Sequence, residues 1–103
     1  MTDWHDVMKA DDLWEDEMAC ATANGTKLLI VNASGELRAY KAQCPHQMTE
    51  LTEEDFDPEK KRILCPSHQW EFDALSGDSI NPTGEELTRY EIELRDGVIR
   101  VRI

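Results

Sequence analysis

The chain has 103 residues, with 22 acidic against 11 basic side chains and a formal charge of −11. That length is one domain with a limited hydrophobic core. The charge sets it against nucleic-acid phosphates and anionic membranes, and no stretch is apolar for long enough to span a bilayer. The N-terminus, Met1-Thr2-Asp3-Trp4, is polar and acidic and does not read as a signal peptide. The expectation is a cytoplasmic protein with no nucleic-acid or membrane partner.

The elements in chain order are short strands punctuated by turns. Trp4 to Val7 reads as a first strand, and the acidic Asp11 to Glu17 as a turn or short helix. Cys20 lies in a strand-like segment and is expected to be a buried free thiol. Asn24-Gly25 signals a hairpin, followed by the apolar run Lys27-Leu28-Leu29-Ile30-Val31, a buried strand. Ser34-Gly35 turns the chain again, and Leu37 to Lys41 alternates as a half-buried strand does. Arg62-Ile63-Leu64 and Trp70 to Asp73 are further strands, Ser76-Gly77 is a turn, and Asn81 to Gly84 is an irregular loop. Thr88 to Leu94 alternates, with Tyr90, Ile92 and Leu94 on one face, and Asp96-Gly97 returns the chain into Val98 to Ile103. Strands of this length and spacing predict an all-β, antiparallel β-sandwich or small barrel.

The chemistry is concentrated in two segments, Cys44-Pro45-His46 and Cys65-Pro66-Ser67-His68. Each is a hook offering one thiolate and one imidazole, and each opens with Cys-Pro, where a sheet ladder cannot continue. Four of the chain's six Cys and His residues fall in these hooks. Three cysteines in all argue against a disulfide framework and toward metal or redox use. Thiolates suit iron–sulfur clusters and zinc, and imidazole suits zinc or iron. A structural zinc site in a binding module is therefore the rival reading, although common zinc sites pair Cys with Cys and His with His.

The pattern C-x-H…C-x-x-H resembles the Rieske family, and the strand order around it is similar over nearly the whole chain. The resemblance implies a single domain over 1–103, with a cluster-binding subdomain of two loops at about 42–84. It implies one [2Fe–2S] cluster, with Cys44 and Cys65 on one iron and His46 and His68 on the outer one. The two hooks are 18 residues apart, slightly more than is usual, and the extra length falls in the acidic stretch Thr52 to Pro58. High-potential members carry an extra cysteine pair, where this chain has Thr49 and Ser67, and cluster-facing hydroxyls, where it has Trp70 and Phe72. Hydrogen bonds to cluster sulfurs raise the potential, so a low Rieske potential is expected.

Within the family, Cys44-Pro45-His46-Gln47 and Ser79-Ile80-Asn81-Pro82 resemble ferredoxin components of toluene-type diiron monooxygenases; ferredoxins of ring-hydroxylating dioxygenases are the alternative. The implied role is an electron-transfer component and not an enzyme. It would be a monomer taking electrons from an NADH-dependent flavin reductase to the oxygenase's hydroxylase component. A Rieske-like small subunit of a nitrite reductase is disfavoured because all four ligands are present. A complete oxygenase would need a second domain. Pro45, Pro66 and Pro82 are expected to shape loops around the cluster and Gln47 and Gln69 to line its edge. Trp70 is expected in the core and His5 on the surface. The acidic residues Glu50, Glu53, Glu54, Asp55, Asp57 and Glu59 form either a solvated face or a docking patch.

Overall fold

Two-residue turns set the first level of the fold. The computed structural model describes residues 3–43, 50–65, 71–81 and 86–103. Asn24 and Gly25 have φ of 50° and 76°, Ser34 and Gly35 55° and 85°, and Asp96 and Gly97 53° and 77°. Positive φ at both central positions is the type I′ turn, whose twist matches that of a hairpin. These turns join β2 (Glu17–Ala23) to β3 (Thr26–Ala33), β3 to β4 (Glu36–Lys41), and β9 (Arg89–Arg95) to β10 (Val98–Arg102). All pairings are antiparallel, and β1 (Trp4–Lys9) adds to β10.

Ala39 opposite Tyr90 and Tyr40 opposite Arg89 link β4 to β9. The result is a six-stranded sheet in the order β1-β10-β9-β4-β3-β2. Its outer strands β1 and β2 come back into contact, so the sheet is a nearly closed barrel. A second, four-stranded antiparallel sheet contains β5 (Phe56–Asp57), β6 (Arg62–Leu64), β7 (Glu71–Asp73) and β8 (Ser79–Asn81), in that order. The expected all-β antiparallel architecture is what the chain adopts. Among the described residues no helix is long and apolar enough to cross a membrane.

Strand β3 explains how the two sheets join. Leu28 and Ile30 pack with Ala39, Ile99 and Val101 inside the barrel. Leu29 and Val31 point the other way and pack with Tyr40, Leu51, Ile63, Cys65 and Phe72 under the second sheet. A strand buried on both faces needs an unbroken apolar run, which is what Leu28 to Val31 supplies. Each such side chain contributes about 1.5–3 kcal/mol of burial. Strand β4 is also covered twice, since Ala39 and Tyr40 are both fully buried; it is not the half-exposed strand its alternation suggests.

Other expectations shift for local reasons. Cys20 is exposed, not buried. It pairs with Leu29 and shares its face, but β2 ends the strand order and Cys20 lies beyond Met18, the β2 residue that reaches this core. Leu94 is 57% exposed, because it lies at the hairpin end of β9, opposite Ile99 and next to the Asp96-Gly97 turn. Tyr90 and Ile92 do pack against the barrel core. His5 is half-buried in β1. The acidic segment 10–17 holds one 3₁₀ turn, Ala10–Asp12. Asn81 belongs to β8, while Pro82, Thr83, Gly84 and Trp70 lie outside the described residues.

Candidate metal centre

Strand directions bring three loop bases to the second sheet and its border with the barrel. Strand β6 runs into Cys65, and β7 leaves the second hook at Glu71, paired with Leu64. Glu71 also pairs with Asn81, so segment 82–85 starts from the same end of this sheet. Asp78 bridges Glu86 and the Leu87 N–H donates to the Gly77 carbonyl at 2.8 Å, which closes that segment. The first hook leaves β4 through Ala42 and Gln43. Gln43 bridges Glu50, and the Leu51 N–H donates to the Ala42 carbonyl at 3.0 Å. Leu51 is fully buried in the same cluster as Cys65.

Of the four candidate ligands, Cys65 is the one that the structure describes. It is a free thiol, 1% exposed, at the end of β6. Packing against Leu51, Ile63 and Phe72 fixes its backbone. A buried thiolate without a counter-charge is costly, and bonding to iron is the chemistry that removes that cost. Cys65 therefore fits an iron ligand. Cys44, His46 and His68 lie outside the described residues, as do Pro45, Gln47, Thr49, Pro66, Ser67, Gln69 and Trp70. Phe72 is described, and it is a fully buried, hydroxyl-free side chain on β7.

The second sheet has little backbone pairing, and side chains that sequence reasoning did not single out hold it in place. The Tyr40 hydroxyl donates to the Ala74 carbonyl at 2.8 Å, and the Arg38 Nε to the Leu75 carbonyl at 2.9 Å. Both reach from β4 to the turn after β7. Asp73 accepts from the Leu75 and Ser76 N–H groups at 2.8 and 3.2 Å. Gly77, at φ +82°, lies under Tyr40: a Cβ there would be 2.8 Å from the Tyr40 ring. The signal for Gly77 was legible as Ser76-Gly77; nothing in an alternating strand marks Tyr40 as the pillar it meets.

The acidic stretch divides by role. Thr52 and Asp55 form a reciprocal capping box around the 3₁₀ turn Glu53–Asp55. Asp57 accepts from the Glu59 and Lys60 N–H groups at 3.1 and 3.2 Å. Glu50 pairs with Lys27 on β3, and the Cys20 thiol donates to the Glu53 carboxylate at 3.0 Å. Partial burial of its sulfur, then the neighbouring Glu53 carboxylate, push the Cys20 thiol up to about 11. The same bond lowers the Glu53 carboxyl. These two links bind the return of the first hook to the barrel.

Comparison with known proteins accounts for this arrangement. Residues 3–91 match the model of the Rieske [2Fe–2S] domain. The chain is 31% identical to the ferredoxin component of the alkene monooxygenase system of Xanthobacter autotrophicus, over 93% of this chain and 78% of that one. It is 26% identical to the ferredoxin component of the naphthalene 1,2-dioxygenase system of Pseudomonas putida, over 97% and 93% of the two chains. In structure it resembles the ferredoxin of carbazole 1,9a-dioxygenase from Nocardioides aromaticivorans, with a TM-score of 0.81 at 22% identity over 95% of each chain. The same fold recurs, at a TM-score of 0.82 and 25% identity, over 95% of this chain and 27% of a longer one in the reduced complex of oxygenase and ferredoxin from carbazole 1,9a-dioxygenase. With its strand order, its paired loop bases and its buried cysteine at the end of β6, the chain belongs to the Rieske [2Fe–2S] domain family, as a ferredoxin, an electron carrier that binds one such cluster.

Proposed function

We propose that this ferredoxin carries single electrons from an NADH-dependent flavin reductase to the hydroxylase component of a diiron hydrocarbon monooxygenase, as a cytoplasmic monomer. Cys44 and Cys65 hold one iron, and His46 and His68 the other, solvent-edge iron. Segment 42–84 is the cluster-binding subdomain, and the second sheet, which starts at Phe56 and ends at Asn81, supports that boundary. The observation that carries the reading is Cys65, a buried free thiol at a sheet end where paired loop bases converge. The bound cluster supplies a one-electron acceptor, with two histidines in place of two cysteines. The protein supplies a mount for the loops and an unfavourable field for added charge.

That field sets the potential. The net charge of −11 opposes a further electron, and Phe72 offers no hydroxyl to the cluster. Both support a potential at the low end of the Rieske range, suited to electrons from NADH. Preference for a monooxygenase over a ring-hydroxylating dioxygenase rests on the higher identity to the alkene monooxygenase ferredoxin, 31% against 26%.

The test is an absorption and EPR spectrum of anaerobically purified protein before and after dithionite, followed by reduction of candidate oxygenases. A rhombic signal with average g below the free-electron value is expected. A colourless protein containing one zinc would overturn the carrier reading. Rapid reduction of a dioxygenase but not a diiron hydroxylase would select the alternative.

A further inference from the structure

Electron exchange needs the cluster end of the molecule, yet the large apolar side chains left in solvent lie at the other end. Among the described residues these are Trp14, 73% exposed, and Leu94, 57% exposed. Trp14 follows the 3₁₀ turn Ala10–Asp12, and the Ala10 N–H donates to the Gly97 carbonyl in the β9–β10 turn. Two residues after Trp14, Asp16 donates its N–H to Asn32 and accepts from the Ser34 N–H, at the β3–β4 turn. Asp16 also pairs with Lys61, in the turn at the start of β6 and so at the opposite end of that strand from Cys65. Leu94 borders the same β9–β10 turn. The first hook leaves β4 at its far end, five residues on from Glu36, about 17 Å away at the rise of a strand.

The exposed indole is held in place. Its Nε1 donates to the Asp11 carbonyl at 3.2 Å, and the Trp14 N–H to the Glu17 carboxylate at 2.7 Å. Leu13, its neighbour, is buried in the barrel core. A preorganised aromatic loses little freedom on binding. Next to it in sequence are Asp11, Asp12, Glu15 and Glu17, Lys9 is the single Lys or Arg between residues 3 and 17, and Lys61 is paired with Asp16. A fixed tryptophan inside an anionic rim is complementary to arginine, which stacks on the ring and pairs with carboxylates. A second copy of this chain, itself at −11, is repelled.

We infer that the Trp14 end of the barrel is a second docking surface, for an arginine-bearing protein surface with an apolar recess on a component of the same electron-transfer system. This rests on the carrier reading. Docking there leaves the cluster end open, so one component can hold the carrier while another exchanges its electron, which raises effective concentration.

The experiment is steady-state turnover with the purified holo-ferredoxin and its own reductase and oxygenase components. Each component is made limiting in turn, for wild type, Trp14→Ala and the triple variant Asp11→Asn, Asp12→Asn, Glu15→Gln. For one component, the KM for carrier is expected to rise about tenfold in Trp14→Ala. The triple variant should flatten the salt dependence of that KM. The rate at saturating carrier, the EPR spectrum and the melting temperature should match wild type. A KM within twofold of wild type for both components would overturn the inference, as would a loss confined to the saturating rate. A wild-type protein that passes no electron to either component would overturn the carrier reading and this inference with it, whereas an unchanged KM in a working system overturns the inference alone.

Discussion

The barrel and the second sheet are both antiparallel, but they are held together by different means. The barrel has strands of five to eight residues, I′ hairpins and its own apolar interior. The second sheet has strands of two and three residues, below the length at which backbone pairing alone sustains a sheet. It leans on Tyr40, Arg38 and the capping box, and shares its core with one wall of the barrel. The barrel is thus a scaffold that folds on local signals, and the second sheet is a structure mounted on it.

The largest expected effect separates the two regions outright. Cys65→Ser should abolish the cluster chromophore and EPR signal. It should leave the far-UV circular dichroism of the barrel nearly intact, because among the described residues Cys65 packs in the core between the sheets and not in the barrel interior. Amide exchange should speed up at 62–64 and 71–81 far more than at 26–33. Equal acceleration in both regions would mean that the barrel is not an independent scaffold.

Two glycines sharpen the contrast. Gly77→Ala places a Cβ at φ +82° against the Tyr40 ring, whereas Gly25→Ala at φ +76° has nothing within 4 Å. Backbone strain of about 1 kcal/mol applies to both, and the close approach should add about 1–3 kcal/mol at Gly77. Chemical denaturation reads the difference. Gly77→Ala should also lose cluster on dilution, since Leu87, on the return of segment 82–85, bonds to the Gly77 carbonyl.

Tyr40→Phe is the next step down. It leaves the Ala74 carbonyl without its buried donor, at a cost of about 1–2 kcal/mol. Burial pushes the Tyr40 phenol up to about 12 from its ordinary 10. The folded state therefore holds this proton more tightly than the unfolded state. That contribution is complete below pH 10 and is lost as pH rises from 10 to 12. Wild type should lose stability in this window, and Tyr40→Phe should show a shallower loss there.

Much of this division was legible beforehand. Asn24-Gly25, Ser34-Gly35 and Asp96-Gly97 stand as hairpin turns, and Leu28 to Val31 as a buried strand, because these signals are local. Strands β5 and β8 were not. Phe56–Asp57 lies inside an acidic run, and of Ser79–Asn81 the sequence reading places Asn81 in an irregular loop. Such short strands exist only through partners at Arg62–Ile63 and Glu71–Phe72, which no period of two can announce. Of the candidate site, the Cys-Pro hooks carry the metal chemistry in their residue types. The side chains that mount them, Tyr40, Arg38 and Lys27, come from β3 and β4 and are joined to the lobe only by the fold. The acidic run also resolves only in three dimensions. Asp55 and Asp57 serve local turns, so reversing Glu54 and Glu59 is the cleaner test of charge steering. An unchanged rate and salt dependence would remove these two as docking charges.

The smallest effect concerns Cys20, the outlying link between barrel and lobe. Cys20→Ala deletes the bond to Glu53 on an exposed surface, where such contacts add little. Its melting temperature near neutral pH should match wild type. The thiol is raised to about 11 from 9, so the folded state again keeps its proton more tightly. Its contribution is complete below pH 9 and disappears between 9 and 11, one unit earlier than that of Tyr40. Melting temperature followed against pH should therefore begin to fall near 9 in wild type and near 10 in Cys20→Ala. An identical onset would mean that neither the burial of the Cys20 sulfur nor its bond to Glu53 persists in solution.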